Sequence, residues 1–538
     1  MFSSPALRSL FLLLLALALA TPVLVVAGSW LAGASPNWGH LSSTVLPSYL
    51  RHSLFLALFT GTGTLLIGVA AAWAVSRFRF PGRRVLEWAL LLPLACPAYL
   101  IAYTWTGMLA SEGALQQALP LPLPDIRSPA GAGLMLTLVL YPYVYLMPRA
   151  AFVSQSAVAL EVARTLGAGP WRRFFRVALP LARPAIIAGL ALVLMETLAD
   201  YGTVAYFGVP TLSTGIYRTW FGLGDAMAAA QLAGVLLLAM VVLLTLERRA
   251  RKERRISVAS ARAAAPLPLG RGPGLLLAAA LWLPVLLGFI LPALQLLVWS
   301  LPRWRDLAEP GFLGLLGTSL LIALCTALAA TGLGLLLIWA RRLRGDRPRR
   351  LAAGLAGFGY AVPGTVLAVG VVLVLASLDR GLNNLLASVG LPEPGLLFSG
   401  TLFAVVFACT VRFLTIPIQG LDAGLQNLSP NLDNAARSLG TASLPMLRRV
   451  HLPLLRVPLA TSALLVFVDT LKELPAALVL RPFNTNTLAV RAFELASDER
   501  LADAALPALT ILLAGVAPVI LLTRSIRNPH QESPHADH

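Results

Sequence analysis

Residues 161–184 read EVARTLGAGPWRRFFRVALPLARP, and residues 434–458 read NAARSLGTASLPMLRRVHLPLLRVP. The second stretch follows the first at a shift of 273 positions: Ala163 falls on Ala436, Arg164 on Arg437, Leu166 on Leu439, Gly167 on Gly440, Pro180 on Pro453 and Arg183 on Arg456. Each is an arginine-bearing island between long apolar runs. Each reads as a helix, a glycine break, a second helix and a proline that leads back into apolar sequence. Gly167 and Gly440 stand where the first helix must end, a place that favours glycine because the left-handed backbone required there is costly with a Cβ. Pro170 suits the opening turn of the next helix. In that second helix Trp171, Phe174, Phe175 and Ala178 fall on one face at helical spacing. One such pair of helices could simply lie on a lipid surface. Its recurrence at the equivalent place in both halves points instead to a dedicated contact.

The surrounding chain is membrane sequence. Of 538 residues, 57% are hydrophobic and 12% charged, about half the charge of an ordinary soluble domain. Apolar runs of about 20 residues recur throughout, which makes this an all-α polytopic membrane protein. Twelve spans are expected, at about 10–31, 52–76, 87–110, 131–151, 184–207, 226–246, 274–299, 315–340, 351–378, 399–417, 458–480 and 504–523. The first is read as an uncleaved helix. The net charge of +18 does not mark a nucleic-acid partner. It lies in short loops, almost all of it as arginine, with Lys252 and Lys472 the only lysines. Such loops are topology signals, and they put both termini and both glycine loops on the cytoplasmic side of the lipid bilayer.

The two halves correspond beyond the loops. At a shift of 266, Ser53 pairs with Ser319, Trp73 with Trp339 and Pro97 with Pro363; at 273, Thr214 to Arg218 pair with Thr487 to Arg491. Two parallel six-helix repeats follow, residues 1–246 and 274–523, with loops at 154–183 and 418–457. A basic cytoplasmic linker at 247–273 joins them, and a tail at 524–538 closes the chain. Parallel repeats imply a symmetry axis along the membrane normal with the pathway at their interface. The linker's basic run, Arg248 to Arg255, fixes topology and touches anionic headgroups. The tail, with His530, His535 and His538, is expected to be disordered and not a metal site, and Cys96, Cys325 and Cys409, each in apolar sequence with no CxxC spacing, read as packing residues. No phosphate-binding glycine loop and no hydrolase or metalloenzyme motif appears, so the chain reads as a transport component and not an enzyme, with no cofactor and no stable metal site of its own.

The pattern E-x-A-x-x-x-G, then a basic stretch and Leu-Pro, resembles the cytoplasmic coupling loop of permeases of ATP-binding-cassette importers. That resemblance implies that Glu161, Ala163 and Gly167 in the first loop, and Asp433, Asn434, Ala436 and Gly440 in the second, contact two copies of a separate ATPase subunit. The second loop departs from the pattern, with Asn434 at the glutamate position and Asp433 one step early. Glu196-Thr-Leu-Ala-Asp-Tyr-Gly, Asp469-Thr-Leu-Lys-Glu-Leu-Pro, Leu480-Arg-Pro-Phe-Asn and Thr487-Leu-Ala-Val-Arg are similar to the fused permeases of the ferric-iron uptake group. This implies a bacterial inner-membrane channel for ferric iron, served by a periplasmic binding protein and working by alternating access. Importers of thiamine or phosphonate are alternatives. A facilitator-type secondary transporter is a more distant one, suggested by Gly345-Asp346-Arg347-Pro348-Arg349-Arg350.

Acidic residues inside membrane segments usually face a wet cavity or a partner. Glu196 and Asp200, and at equivalent positions Asp469 and Glu473, are spaced four apart, which on a helix places each pair on one face. With the phenol of Tyr201 they are expected to line the substrate path. Pairing of Lys472 with one of these acids, or capping of helix ends, is the alternative.

Overall fold

The computed structural model of the protein describes residues 5–118, 125–155, 162–252, 266–343, 346–357, 359–426 and 428–527. Glu161, residues 253–265 of the basic linker and the histidine-bearing tail lie outside the described residues. Among those described, nine helices are long and apolar enough to cross a membrane, and three bent pairs bring the possible spans to twelve. These correspond to the twelve apolar runs of the sequence, and the described residues are all-α apart from a two-residue parallel ladder of Phe78–Arg79 with Leu267–Pro268.

Several of the expected spans are not continuous helices. Arg83–Ala95 and Ala98–Leu109 meet at 92°, Leu402–Phe413 and Thr415–Gln426 at 43°, and Ser443–Leu454 and Arg456–Leu471 at 76°. The run 351–378 divides into Arg347–Ala356 and Gly364–Ser388. Proline explains the first and last of these breaks. Cys96, before Pro97, is extended (φ −106°, ψ 126°), and Pro97 and Pro363 adopt nearly the same conformation, ψ 142° and 143°. A proline offers no N–H to continue the preceding helix and forces its predecessor out of the helical region.

The chain forms two compact units that do not follow the sequence halves. One comprises Met1–Pro36, Ile216–Leu237 and Asp306–Arg491; the other comprises Asn37–Gly215, Leu238–Arg305 and Ala492–His538. In the first unit the opening helix Pro5–Gly28 packs on Arg347–Ala356 and Gly364–Ser388. Gly370 permits the contact, since a Cβ there would lie 2.2 Å from the Pro22 carbonyl oxygen. Ser9 donates to Asp346 (3.0 Å) and accepts from Arg349 (3.1 Å), while Asp346 also caps Arg347–Ala356 through the Arg349 amide. The Asp-Arg-Pro-Arg-Arg stretch is therefore a capped helix start that holds the N-terminal helix. In the second unit Arg271–Val285 and Leu291–Ser300 occupy the corresponding role against Arg83–Ala89, Ala98–Leu109 and Leu501–Arg527. Trp105 there donates to the Leu287 carbonyl at 3.0 Å.

Small residues let the spans approach closely, as membrane helices require when no water drives them together. Added methyls at Gly63 and Gly68 would strike Thr137 and Val144, and at Gly334 and Gly424 would strike Pro417 and Pro458. Cys96 and Cys409 are buried, as packing residues should be, whereas Cys325 is on an exposed face.

Candidate functional site

Both glycine loops close in the same way. Gly167 donates to the Arg164 carbonyl and Ala168 to the Ala163 carbonyl; Gly440 donates to Arg437 and Thr441 to Ala436, all within 2.9–3.0 Å. This paired pattern is the Schellman helix ending, and the glycines carry the left-handed φ it requires, +78° and +74°. Neither has an atom within 4 Å of where a Cβ would stand, so the backbone conformation and not crowding selects glycine. Leu166 and Leu439, just before the glycines, are 80% and 84% exposed. Trp171, Phe175, Val162, Leu432 and Leu444 are also exposed. Val162, Leu166, Leu432 and Leu439 stand outside the candidate spans and Trp171, Phe175 and Leu444 near the starts of two of them, and large apolar groups in this density suit a contact surface. Asn434 belongs to that exposed surface, Ala163 is half-buried, and Ala436 is buried beneath it.

After each glycine the chain makes a short helix, then a five-residue π-turn, Phe174–Ala178 in one loop and Leu447–His451 in the other, again 273 positions apart. Leu179 donates to the Phe174 carbonyl and Leu452 to the Leu447 carbonyl, five residues back. Pro180 and Pro453 follow at once. The proline ring presses on the carbonyl four residues earlier, and a widened turn relieves that pressure. Leu286–Ile290, with Pro292 two residues beyond, repeats the device elsewhere in the chain. The turn also corrects the expected aromatic face: Ala178 is buried and Phe174 packs on Trp73 (5.0 Å between ring centres), while Trp171 and Phe175 remain exposed and stack on each other.

The roots of the two loops are held differently. In the first, Gln155 donates to the Ala178 carbonyl (2.8 Å), and Trp73, Phe152 and Phe174 pack together. In the second, Arg342, from the end of Pro310–Leu343, grips Asp433 with two N–H groups, Nε at 2.8 Å and Nη2 at 3.3 Å. His451 donates from Nε2 to the same carboxylate at 2.9 Å. Arg342 also donates to the carbonyls of Leu425 (2.5 Å) and Leu428 (3.1 Å). Burial alone would raise the Asp433 pKa, but the hydrogen bonds from Arg342 and His451 outweigh it and hold the carboxyl below its usual range. Asp433 thus faces inward, 6% exposed, whereas Asn434 beside it faces out.

Each membrane acid has its own surroundings. Leu179–Ala199 ends one residue before Asp200, so Glu196 and Asp200 do not share a helix face as their spacing suggested. Asp200 instead caps Gly202–Tyr206, accepting from the Thr203 and Val204 amides at 3.1 and 3.2 Å and from the Thr203 hydroxyl. Arg456–Leu471 likewise ends before Glu473. Glu473 accepts from Arg412 (2.7 Å) and from the Ala476 amide (3.1 Å), and Asp469 pairs with Lys472 at 2.8 Å. Tyr201 is buried with its ring 6.0 Å from that of Phe493. Arg412, Arg342 and His451 escaped the sequence reading because their partners are 61, 91 and 18 positions away. The π-turns did leave a signal, the Leu-Pro pairs at 179, 452 and 291.

The sequence profile described as "Binding-protein-dependent transport system inner membrane component" matches the chain twice, at residues 64–255 and 330–528. Over 525 residues the chain is 25% identical to the Fe(3+)-transport system permease protein FbpB 2 of Haemophilus influenzae, covering 96% of this chain and 97% of that protein. It is 27% identical to the thiamine transport system permease protein ThiP of Salmonella typhimurium, with 90% of each chain covered. The molybdenum transport system permease protein ModB of Escherichia coli K12 is 31% identical over 228 residues, which is 96% of that protein but 41% of this chain.

Proposed function

Because the chain belongs to the family of binding-protein-dependent transport system inner membrane components, we propose that it is the channel of an ATP-driven importer for ferric iron that works by alternating access. The observation that carries this reading is the pair of glycine-ended loops, alike in hydrogen bonding and each presenting an exposed leucine before the glycine. Two such surfaces suit two copies of one ATPase. Their contacts are assigned to Ala163 and Gly167 in one loop and to Asn434 and Gly440 in the other, with Ala436 packed beneath; Glu161 is assigned with the first by motif. ATP-driven closure of the ATPase pair moves the loops, and the two repeats, 1–246 and 274–523, rock about the pathway between them. Both termini lie in the cytoplasm, and a periplasmic binding protein delivers the cargo.

Ferric iron is favoured because a relative that matches 96% of this chain carries Fe(3+) in its name, while the molybdenum permease corresponds to one unit only. Thiamine is the second reading, on the similarly extended match to ThiP. Within the path, Glu196 and Asp469, the latter beside Lys472, are assigned to the passing cation, and Asp200 and Glu473, which also hold helix ends and Arg412, to keeping the broken helices around it. Uptake decides between the substrates. Cells lacking other iron and thiamine importers, and expressing the chain with its ATPase and binding protein, should accumulate radiolabelled ferric iron and not thiamine. Accumulation of thiamine without iron would overturn the substrate assignment. Glu196→Gln with Asp469→Asn should lower iron uptake severalfold at normal membrane abundance; unchanged uptake would remove both from the path.

A further inference from the structure

We infer that Arg342, Asp433 and His451 form the link through which the second loop moves the membrane helix Pro310–Leu343. On this inference Asp433 is a positioning residue that faces into the permease, not a contact for the ATPase. It rests on the reading of the loops as ATPase docking surfaces and adds how one of them is joined to a span.

The geometry is that of a joint. The Arg342 guanidinium sits in the elbow between Thr415–Gln426 and Pro430–Ser438. It takes the Leu425 carbonyl at the end of the first helix, the Leu428 carbonyl in the connection, and both Asp433 oxygens from the start of the second. A planar guanidinium can make these bonds together in fixed directions, which a single ammonium cannot. His451 ties the same carboxylate to the π-turn on the far side of the glycine break. Two of the segments at the root of the loop are therefore fastened directly to Arg342, the penultimate residue of a span, and the third is tied to it through Asp433. A displacement applied to the exposed face at Asn434, Leu439 and Gly440 reaches that span through bonds that resist shear.

Among the described residues the first loop is fastened differently. At the equivalent positions Arg342 becomes Ser76 and His451 becomes Ala178. Ser76 bonds within its own helix to the Ala72 carbonyl, and the root is held by Gln155 and by aromatic packing. Among the described residues the two halves of a tandem repeat are thus fastened by different chemistry, a charged cluster in one and a side-chain amide with aromatic packing in the other.

The test compares Asp433→Asn and Arg342→Lys with wild type in the complete transporter, measuring ATPase retention, hydrolysis and import. Both variants should keep the ATPase bound and hydrolysing, while import per ATP falls roughly tenfold, the size of effect expected along an element that couples two sites. Hydrogen exchange on the permease alone supplies a readout independent of the ATPase. Amides from 432 to 441 should exchange about tenfold faster in Asp433→Asn, since a single freed contact of this strength opens the segment by that factor. Release of the ATPase by Asp433→Asn but not by Arg342→Lys would make Asp433 a docking contact and overturn the inference. So would import per ATP unchanged in both variants, unchanged exchange, or loss of both proteins from the membrane, which would mark a folding element only. Failure of wild type to bind an ATPase would instead strike the docking reading, leaving the exchange result to judge the joint.

Discussion

At the scale of single residues, glycine does two distinct jobs. At Gly440 the backbone is left-handed and the space is open. Asparagine, which tolerates that conformation, should therefore be accepted, whereas Gly440→Val should cost about 1–2 kcal/mol locally. Hydrogen exchange at the amides of residues 440 and 441 checks this: little change for asparagine, about tenfold acceleration for valine. At Gly364 the backbone is ordinary helix, but a Cβ would stand 2.2 Å from an Arg412 nitrogen and 2.6 Å from a Glu473 oxygen. Gly364→Ala should destabilise the protein by about 2 kcal/mol or more by prising apart a buried ion pair. Gly354→Ala, in a helix with open space around it, should stabilise by roughly 0.5 kcal/mol. Opposite signs in the thermal midpoints of the two variants are the expected outcome; equal shifts would contradict the close contact. The positive φ at Gly167 and Gly440 was legible from sequence, because a helix followed by glycine has few other solutions. Arg412 was not, since nothing local in a sequence names a partner on another helix.

At the scale of elements, repeats and prolines carried most of the information. The Ser53–Ser319 correspondence has a physical basis. Each hydroxyl accepts from the first amide of a short helix, Leu212 at 3.1 Å in one unit and Leu488 at 2.8 Å in the other. That contact aligns Leu212 with Leu488, a shift of 276, three more than the match of Thr214 with Thr487 suggested. Insertion within the preceding turn explains the slip. Ser53→Ala and Ser319→Ala should each cost about 1 kcal/mol, the value of one buried bond to a helix-end amide, and additively, because they lie in separate units. A double variant falling well short of the sum in thermal unfolding would speak against equivalent roles. Pro97 and Pro363 were paired correctly, yet both were read through as continuous spans. Apolar length satisfies a membrane-span pattern whether or not the helix breaks, and proline in such segments often only bends them.

At the scale of the whole molecule, the tandem repeats were legible but their exchange of opening helices was not. Pro5–Gly28 packs in the unit that holds Asp306–Arg491, and Arg271–Ser300 in the unit that holds Asn37–Gly215. A helix apolar on every side carries no stripe to say which neighbour it joins. The polar signal was confined to Ser9, Asp346 and Arg349, too sparse to read in advance. The two glycine loops were the reverse, since their polar and apolar residues recur at fixed places in both halves. The most direct measurement is uptake into proteoliposomes holding the permease, its ATPase and its binding protein, comparing wild type with the Gly167→Trp, Gly440→Trp double variant. Wild type should import cargo only with ATP. The double variant should insert normally and lose about nine-tenths of that import. Import at the wild-type rate by the double variant, with the ATPase still bound, would contradict the assignment of the two loops as the place where ATP hydrolysis is coupled to transport.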